Sequence, residues 1–184
     1  MRLPLIAAAA TALLATTAAH AALTKGAKAP DFATRGAVAG KIVDVKLHDL
    51  LRKGPVVLYF FPSAYTGGCN AEAAAFAEKI PAFTAAGATV IGMSANSVPV
   101  LQKFSMEKCA GKFTVASAGP NVVKSYDVSL GREIDVPGLE KVAATGRVSY
   151  VIARDGRIVY VHNDPSPADH ITGTLAAVEA LKKG

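Results

Sequence analysis

The chain has 184 residues and a formal net charge of +6, with 51% hydrophobic and 18% charged residues. These values are typical of one globular domain with an apolar core. No run of lysines or arginines exceeds two residues, so the positive charge indicates a solvated surface and we expect no nucleic-acid binding. The four histidines are scattered and there are only two cysteines, so we expect no metal site and no cofactor.

The first 21 residues have the pattern of an export signal. Arg2 precedes a short stretch rich in alanine, leucine and threonine, and Ala19-His20-Ala21 is a small-x-small cleavage site. The alternative is a membrane anchor, but the apolar stretch is shorter than the roughly 20 residues that a spanning helix needs. We therefore predict a signal peptide over 1–21 and a mature domain over 22–184. The expected location is the periplasm or the cell exterior, with no stable membrane anchor after cleavage.

The next segment leads into a buried strand. Residues 22–40 contain several glycines and are predicted to form an extended lead-in. A strand is predicted over 41–47, followed by a helical turn over 48–51. The run 56–61 consists of six consecutive apolar residues bounded by prolines, which predicts a fully buried central strand.

A helix and a second buried strand are predicted next. Residues 69–80 are rich in helix formers, and Pro81 marks a kink or a boundary of that helix. The β-rich run 88–94 predicts the strand. The following elements are a helix capped by Asn96 or Ser97 and running to Cys109, a short strand over 113–116 and a helical turn over 121–126.

The last third of the chain predicts a hairpin and a closing helix. Two β-rich runs, 147–153 and 157–161, flank Arg154-Asp155-Gly156, a strong hairpin signal. An amphipathic helix is predicted over 168–183. Alternating strands and helices followed by a hairpin and a helix predict a three-layer α/β/α domain with a central mixed sheet.

The most informative residues lie where the buried strand gives way to the first long helix. Cys69 falls in or near the first helical turn, where unpaired backbone N–H groups and the positive end of the helix dipole favour the thiolate. The thiolate is the nucleophilic form, so Cys69 is predicted to be reactive. The alternative is an inert buried thiol or half of a stabilising disulfide, as is common in exported proteins.

Pro62, Thr66 and Cys69 match the Pro-x-x-x-Thr-x-x-Cys signature of the peroxiredoxins. The segment from Cys69 to Phe76 resembles the branch called PrxQ or bacterioferritin comigratory protein, and Arg147 matches the arginine at the head of a peroxiredoxin strand. The resemblance implies a thioredoxin-like fold and a thiol-dependent peroxidase for hydrogen peroxide and organic hydroperoxides. It also implies a thioredoxin-like reductant and a monomer or weak homodimer.

The resemblance assigns a role to each residue of the motif. Cys69 attacks the hydroperoxide and becomes a sulfenic acid. Thr66 hydrogen-bonds the thiolate and the peroxide, because a hydroxyl both donates and accepts, and Pro62 shields the thiolate from water. The alternative for Thr66 is a simple helix cap.

Two charged residues complete the expected site. Arg147 is expected to stabilise the thiolate and orient the peroxide, with an ordinary exposed arginine as the alternative. Glu72 lies one turn after Cys69 and is expected to orient Arg147 or the loop through an ion pair. Its alternative role is that of an acid complementing the helix N-terminus.

Cys109 decides how the oxidised thiol is resolved. PrxQ-like proteins often have a resolving cysteine five residues after the first, where this chain has Ala74. Others place it in the next helix, so the resemblance implies that Cys109 attacks the sulfenic acid and forms a Cys69–Cys109 disulfide. A permanent structural disulfide and a free thiol are the alternatives.

Two other functions compete with a peroxidase. The first is an exported thioredoxin-like thiol–disulfide oxidoreductase, although that chemistry generally needs Cys-x-x-Cys and the chain has Cys69-Asn-Ala-Glu72. The second is a catalytically silent binding module that keeps the fold. Retention of the whole motif together with Arg147 argues against the second function.

Overall fold

The computed structural model describes residues 22–183, so the predicted signal peptide over 1–21 lies outside the described residues. The strands are β1 (Ala33–Val38), β2 (Lys41–Lys46), β3 (Val56–Phe60), β4 (Thr89–Ser94), β5 (Thr114–Ser117), β6 (Ser129–Ile134), β7 (Val142–Thr145), β8 (Val148–Ile152) and β9 (Ile158–Asn163). The helices are α1 (Leu47–Lys53), α2 (Gly67–Ala85), α3 (Val98–Glu107), α4 (Pro120–Ser125) and α5 (Ala168–Lys183). Within 22–183, no helix is both long and apolar enough to cross a membrane.

Seven strands form one mixed sheet in the order β2-β1-β5-β4-β3-β8-β9. The central strands β3, β4 and β5 run parallel, and β8 and β9 extend the sheet as an antiparallel hairpin. Because parallel strands end at the same edge, the loops that follow β3 and β4 meet there. This edge holds the predicted reactive thiol.

Helices cover both faces of this sheet. All residues of the central strand β3 are apolar and buried, so both faces must be shielded from water. Neighbouring side chains of a strand point to opposite faces. Val57, Tyr59 and Phe61 therefore pack on the side of α2, α3 and α5, whereas Val56, Leu58 and Phe60 pack on the side of α1 and α4. The predicted buried central strand and the three-layer architecture are confirmed.

The lead-in over 22–40 is only partly extended coil, because β1 forms within it. β1 pairs with β2 through a tight turn at Ala39 and Gly40, which have positive φ values of 48° and 72°. It also pairs with β5 at Gly36, where an added Cβ would lie 2.4 Å from the Val115 carbonyl oxygen. Gly36 thus permits a close approach of two strands rather than marking a loop.

The structure excludes a helix boundary at Pro81, one of the two alternatives given above, and corrects the predicted end of the next helix. The helix α2 continues through Pro81 to Ala85, since the lost backbone hydrogen bond is offset by burial of residues beyond it, such as Phe83. The helix α3 ends at Glu107, so Cys109 lies outside its last turn. The chain then passes through Ala110 and Gly111, both left-handed with φ values of 49° and 67°.

The small sheet of β6 and β7 was not predicted. Four of the six residues of β6 are exposed, so the alternation of apolar and polar residues that indicates a strand is weak there. The predicted hairpin of β8 and β9 is confirmed, with Gly156 at a φ of 82° in its turn. Arg147 immediately precedes β8.

Candidate active site

Cys69 is the third residue of α2 and is almost completely buried, with 2% of its surface exposed. Thr66 is the N-cap of α2, and Gly67 and Gly68 begin the helix and are exposed. The backbone N–H groups of this first turn have no partner within the helix, which makes its surroundings electropositive. The predicted position of the thiol at the start of a helix is confirmed.

Arg147 reaches this thiol from the head of β8. Its Nη2 donates to Cys69 Sγ at 3.6 Å, and its Nη1 donates to Glu72 Oε2. Gly68 leaves room for the contact, since an added Cβ there would lie 3.3 Å from Nη2. Arg147 is only 7% exposed, so it is not an ordinary surface arginine.

Glu72 forms a buried ion pair with Arg147, as expected of an orienting residue. Glu72 is 1% exposed, and its second carboxylate oxygen has no hydrogen-bond partner in the described part of the chain. Burial raises the pKa of this carboxyl to about 7, and the charge of Arg147 opposes that rise. The carboxylate takes one donor of Arg147 and leaves Nη2 to the thiol.

A backbone carbonyl binds the third donor nitrogen of Arg147, Nε. Its Nε donates to the carbonyl oxygen of Pro165 at 2.9 Å, in the exposed loop between β9 and α5. The guanidinium fork is therefore held by Cys69, Glu72 and Pro165 at once. A planar fork with three fixed partners has little freedom to rotate away from the thiol.

Thr66 is near the thiol in sequence but bonds elsewhere. Its Oγ1 donates to the carbonyl oxygen of Ser63 at 3.1 Å, and it makes no side-chain cap on α2. The predicted hydrogen bond to Cys69 and the alternative helix cap are thus both absent from the described structure. Pro62 lies half-buried in the same loop, and Tyr65 has a left-handed φ of 65°.

Cys109 lies in the apolar core on the same side of the sheet as Cys69, with no exposed surface. Burial raises the pKa of its thiol to about 12. Both cysteines are free thiols, so the structure contains no disulfide between them. The ring of Tyr59 belongs to the same core and stacks on Phe76, with ring centroids 4.3 Å apart.

Residues 25–161 match the AhpC/TSA family. The chain belongs to this family and is a peroxiredoxin. It is 32% identical over 160 residues to the chloroplastic peroxiredoxin Q of Oryza sativa subsp. japonica, covering 86% of this chain and 68% of that protein. This similarity places it in the branch of peroxiredoxin Q and bacterioferritin comigratory protein.

Solved structures agree with this assignment. The peroxidoxin BcpB of Mycobacterium tuberculosis is 26% identical with a TM-score of 0.72, covering 85% of this chain and 97% of that one. Peroxiredoxin Q of Xanthomonas campestris is also 26% identical, with a TM-score of 0.66 and coverages of 80% and 90%. The predicted thioredoxin-like fold and peroxiredoxin activity are confirmed, and the alternative of a thiol–disulfide oxidoreductase is not supported.

The loop that carries the motif of this peroxiredoxin is held by residues that the sequence did not reveal. Asn96 Oδ1 accepts hydrogen bonds of 2.8 Å from the Ala64 backbone N–H and from the Ser94 hydroxyl. Thr145 Oγ1 donates to the carbonyl oxygen of Phe61 at 2.8 Å. Asn96 therefore supports the active-site loop instead of capping α3. Its position shortly after the end of buried β4, at the same edge of the sheet as the loop after β3, is the sequence feature that could have indicated this role.

The peroxiredoxin site described so far contains no metal-ligand cluster. Within residues 22–183 no group of three or more His, Cys, Asp or Glu side chains lies close enough to hold a metal ion. The polar groups placed at Cys69 are the Arg147 guanidinium, which Glu72 orients, and the backbone N–H groups of the first turn of α2. These groups suit the binding of a hydroperoxide beside a thiolate.

Proposed function

We propose that Cys69 is the peroxidatic cysteine and that its thiolate attacks one oxygen of a hydroperoxide. The S–O bond forms while the O–O bond breaks, so the sulfur becomes a sulfenic acid. The second oxygen leaves as alkoxide or hydroxide and takes up a proton, which releases an alcohol or water. Hydrogen peroxide and organic hydroperoxides share this chemistry, and we propose both as substrates.

The contact of Arg147 Nη2 with Cys69 Sγ at 3.6 Å carries this proposal. A guanidinium stays charged at physiological pH, so it stabilises the thiolate and the negative charge that develops on the leaving oxygen. Glu72 positions Arg147. Thr66 turns its hydroxyl from the Ser63 carbonyl toward the bound peroxide, and Pro62 limits the access of water.

We further propose that Cys109 is the resolving cysteine. Its thiol loses a proton and attacks the sulfur of Cys69; the S–O bond breaks, and the departing hydroxide is protonated to water. A thioredoxin-like dithiol then reduces the disulfide and is itself oxidised to a disulfide. Because Cys109 has no exposed surface and lies in the apolar core, the proposed cycle includes an opening of the residues after α3 that brings its thiol to Cys69.

Peroxide consumption by three proteins tests this function. The wild type, Cys69→Ser and Cys109→Ser are reduced and mixed with hydrogen peroxide or an organic hydroperoxide in the presence of a thioredoxin-type dithiol. We expect Cys69→Ser to fall to the buffer background and Cys109→Ser to complete one turnover and then stall. Peroxide loss that persists in Cys69→Ser would overturn the proposal.

Mass spectrometry after one equivalent of peroxide tests the resolving role. The wild type should contain a peptide pair joined by a Cys69–Cys109 disulfide, and Cys109→Ser should retain a sulfenic acid that dimedone traps. A trappable sulfenic acid that persists on Cys69 of the wild type would show that Cys109 does not resolve it.

We also propose that the protein is a monomer or a weak homodimer. Light scattering on the reduced and the disulfide forms tests this oligomeric state, and a stable larger assembly would contradict it.

We propose that the protein acts in the periplasm or outside the cell, on the strength of the signal pattern over 1–21. The mature form then begins at Ala22. The mass of the protein recovered from the periplasm of an expressing bacterium checks this boundary. Recovery of the full-length chain from the cytoplasm alone would contradict it.

A further inference from the structure

The loop between β9 and α5 is exposed and nevertheless supplies an active-site contact. Its Pro165 carbonyl accepts the Nε–H of Arg147 at 2.9 Å, although Asp164, Pro165 and Ser166 are all exposed. An exposed loop keeps a carbonyl in one place only when other groups hold it. Within the loop, the Asp164 carboxylate accepts from the Ser166 N–H at 2.7 Å, and the contact that ties the loop to the rest of the protein comes from His170, at the adjacent Asp164 carbonyl.

His170 lies in the first turn of α5 and has no exposed surface. Its Nε2 is 2.9 Å from the carbonyl oxygen of Asp164, the residue before Pro165, and its Nδ1 is 2.8 Å from Ser149 Oγ. A carbonyl oxygen only accepts, so Nε2 carries the proton, and Nδ1 accepts from the Ser149 hydroxyl. Burial lowers the pKa of His170 to about 4, which agrees with this neutral form.

The contacts form a closed ring. Ser149 lies on β8 two residues after Arg147, and residues two apart in an extended chain point to the same face. Ser149 holds His170, His170 holds the Asp164 carbonyl, and the adjacent Pro165 carbonyl holds Arg147. The loop is thus joined to the N-terminal end of β8 by two contacts, one through Arg147 and one through Ser149 and His170.

We propose that His170 is a positioning residue for peroxide reduction, acting through the Asp164–Pro165 carbonyls on Arg147; this rests on the proposed function of Cys69. It touches neither the thiol nor the peroxide. Without His170 the loop drifts, Nε loses its acceptor, and the guanidinium rotates between Glu72 and solvent. Oxidation of Cys69 then slows, whereas the attack of Cys109 on the sulfenic acid proceeds at its usual rate.

The test separates these two steps in His170→Leu and His170→Gln. We expect the second-order rate constant for Cys69 oxidation, measured by competition with a reference peroxidase, to fall about tenfold in His170→Leu, the effect of losing one hydrogen bond to a charged group. The subsequent rate of disulfide formation should not change. His170→Gln should recover most of the loss, because its amide N–H can reach the Asp164 carbonyl.

Thr174→Val is the matched control. Thr174 is fully buried on the same helix and donates to the His170 carbonyl at 2.6 Å, so the variant also loses a buried hydrogen bond but leaves the loop untouched. Equal slowing of Cys69 oxidation in Thr174→Val and His170→Leu would overturn the proposal, as would a wild-type rate in His170→Leu. If His170→Leu does not fold, Ser149→Ala is measured in its place. A wild-type rate of Cys69 oxidation in Ser149→Ala would then overturn the proposal.

Failure of this proposal is distinguishable from failure of the proposed function. If Cys69→Ser still consumes peroxide, Cys69 is not the nucleophile and the role of His170 falls with it. If Cys69→Ser is inactive and His170→Leu oxidises normally, the peroxidase mechanism stands and only the positioning role is overturned.

Discussion

The two cysteines lie on the same side of the sheet and have opposite surroundings. Cys69 lies in the first turn of a helix, with a guanidinium 3.6 Å from its sulfur. Cys109 follows the end of a helix and is enclosed by apolar side chains, where burial raises the pKa of its thiol to about 12. The first environment stabilises a thiolate in place, whereas the second suppresses one.

In the proposed reaction cycle, this difference separates a preorganised step at Cys69 from a gated step at Cys109, which needs the chain around Cys109 to open. Charge and hydrogen bonds are already directed at the sulfur of Cys69 before peroxide arrives, so oxidation needs little rearrangement. Cys109 must leave the core before it ionises readily. Under this proposal the second thiol stays out of reach until the chain around it opens.

Alkylation of the native, reduced protein should show the largest contrast. At pH 7 we expect iodoacetamide to modify Cys69 at least about a thousandfold faster than Cys109, because a thiol with a pKa of about 12 is ionised only to the order of 10⁻⁵. Peptide-resolved mass spectrometry over time gives both rates. The two cysteines should react alike in denaturant, and similar rates in the native protein would refute the contrast.

Removal of the Arg147 guanidinium should lower the reactivity of Cys69 and so reduce its difference from Cys109. Arg147→Gln is expected to slow Cys69 oxidation by about 10²–10³, as when one preorganised donor is lost, with Arg147→Lys intermediate because it keeps the charge without the fork. Stopped-flow competition measures both. Arg154→Gln is the control, since Arg154 is exposed at the β8–β9 turn, and an equal effect there would rule out a specific role for Arg147.

Acid should weaken the support of the Cys69 pocket. An unfolded histidine binds a proton near pH 6.5, whereas buried His170 does so only near pH 4, so the unfolded state holds more protons between these values. The contribution of His170 to the free energy of unfolding should therefore fall as pH drops from 6.5 to 4. Glu72 acts in the opposite direction, because burial raises the pKa of its carboxyl to about 7 and the folded state then binds more protons than the unfolded state below that pH. Urea titrations of the wild type and of a His170 variant at several pH values separate the two contributions.

As pH drops from 6.5 to 4, the free energy of unfolding of His170→Gln should rise relative to that of the wild type, because the variant lacks the His170 contribution. His48→Gln is the control, because the side chain of His48 is 52% exposed and lies outside the pocket. An equal relative change in the free energy of unfolding of both variants would show that acid acts elsewhere than at His170.

Strain placed next to Cys109 should affect only the gated thiol. Gly111 has a φ of 67°, and an added Cβ would lie 3.2 Å from the Cβ of Ala39, so Gly111→Ala should destabilise this segment by about 1–2 kcal/mol. Native-state alkylation of Cys109 should then quicken about five- to thirtyfold, with Cys69 unchanged. Gly119→Ala, at an open site with a φ of −63°, should change neither rate.

The parts of the fold that depend on local pattern could be predicted from the sequence. The buried strand at 56–61, the helix that begins near Cys69 and the hairpin around Gly156 each follow from neighbouring residues. The strand β1 escaped prediction because Gly36 looks like a loop residue, and only its approach to β5 explains it. The end of α3 was placed two residues too late, because its boundary depends on the left-handed turn that follows.

The site was predictable where side chains belong to a motif, as for the pairing of Arg147 with Cys69 and Glu72. The groups that hold the active-site loop and Arg147 in place were not predictable. Asn96 comes from another strand end, and the Pro165 acceptor is a backbone carbonyl, a group that every residue has and that leaves no mark in a sequence. Contacts of that kind follow from the fold alone.

We expect Tyr59 to serve as an optical reporter of the redox state of this peroxiredoxin. The chain has no tryptophan, so its near-ultraviolet signal comes mainly from five tyrosines. Tyr59 is fixed against Phe76, and burial, followed by the nearby charges of Cys109, Glu72 and Cys69, raises the pKa of its phenol well above the usual range. Because Tyr59, Cys69 and Cys109 share one core cluster, the near-ultraviolet circular dichroism should change without a label when the sulfurs are oxidised, and spectra of the reduced and the disulfide forms check this.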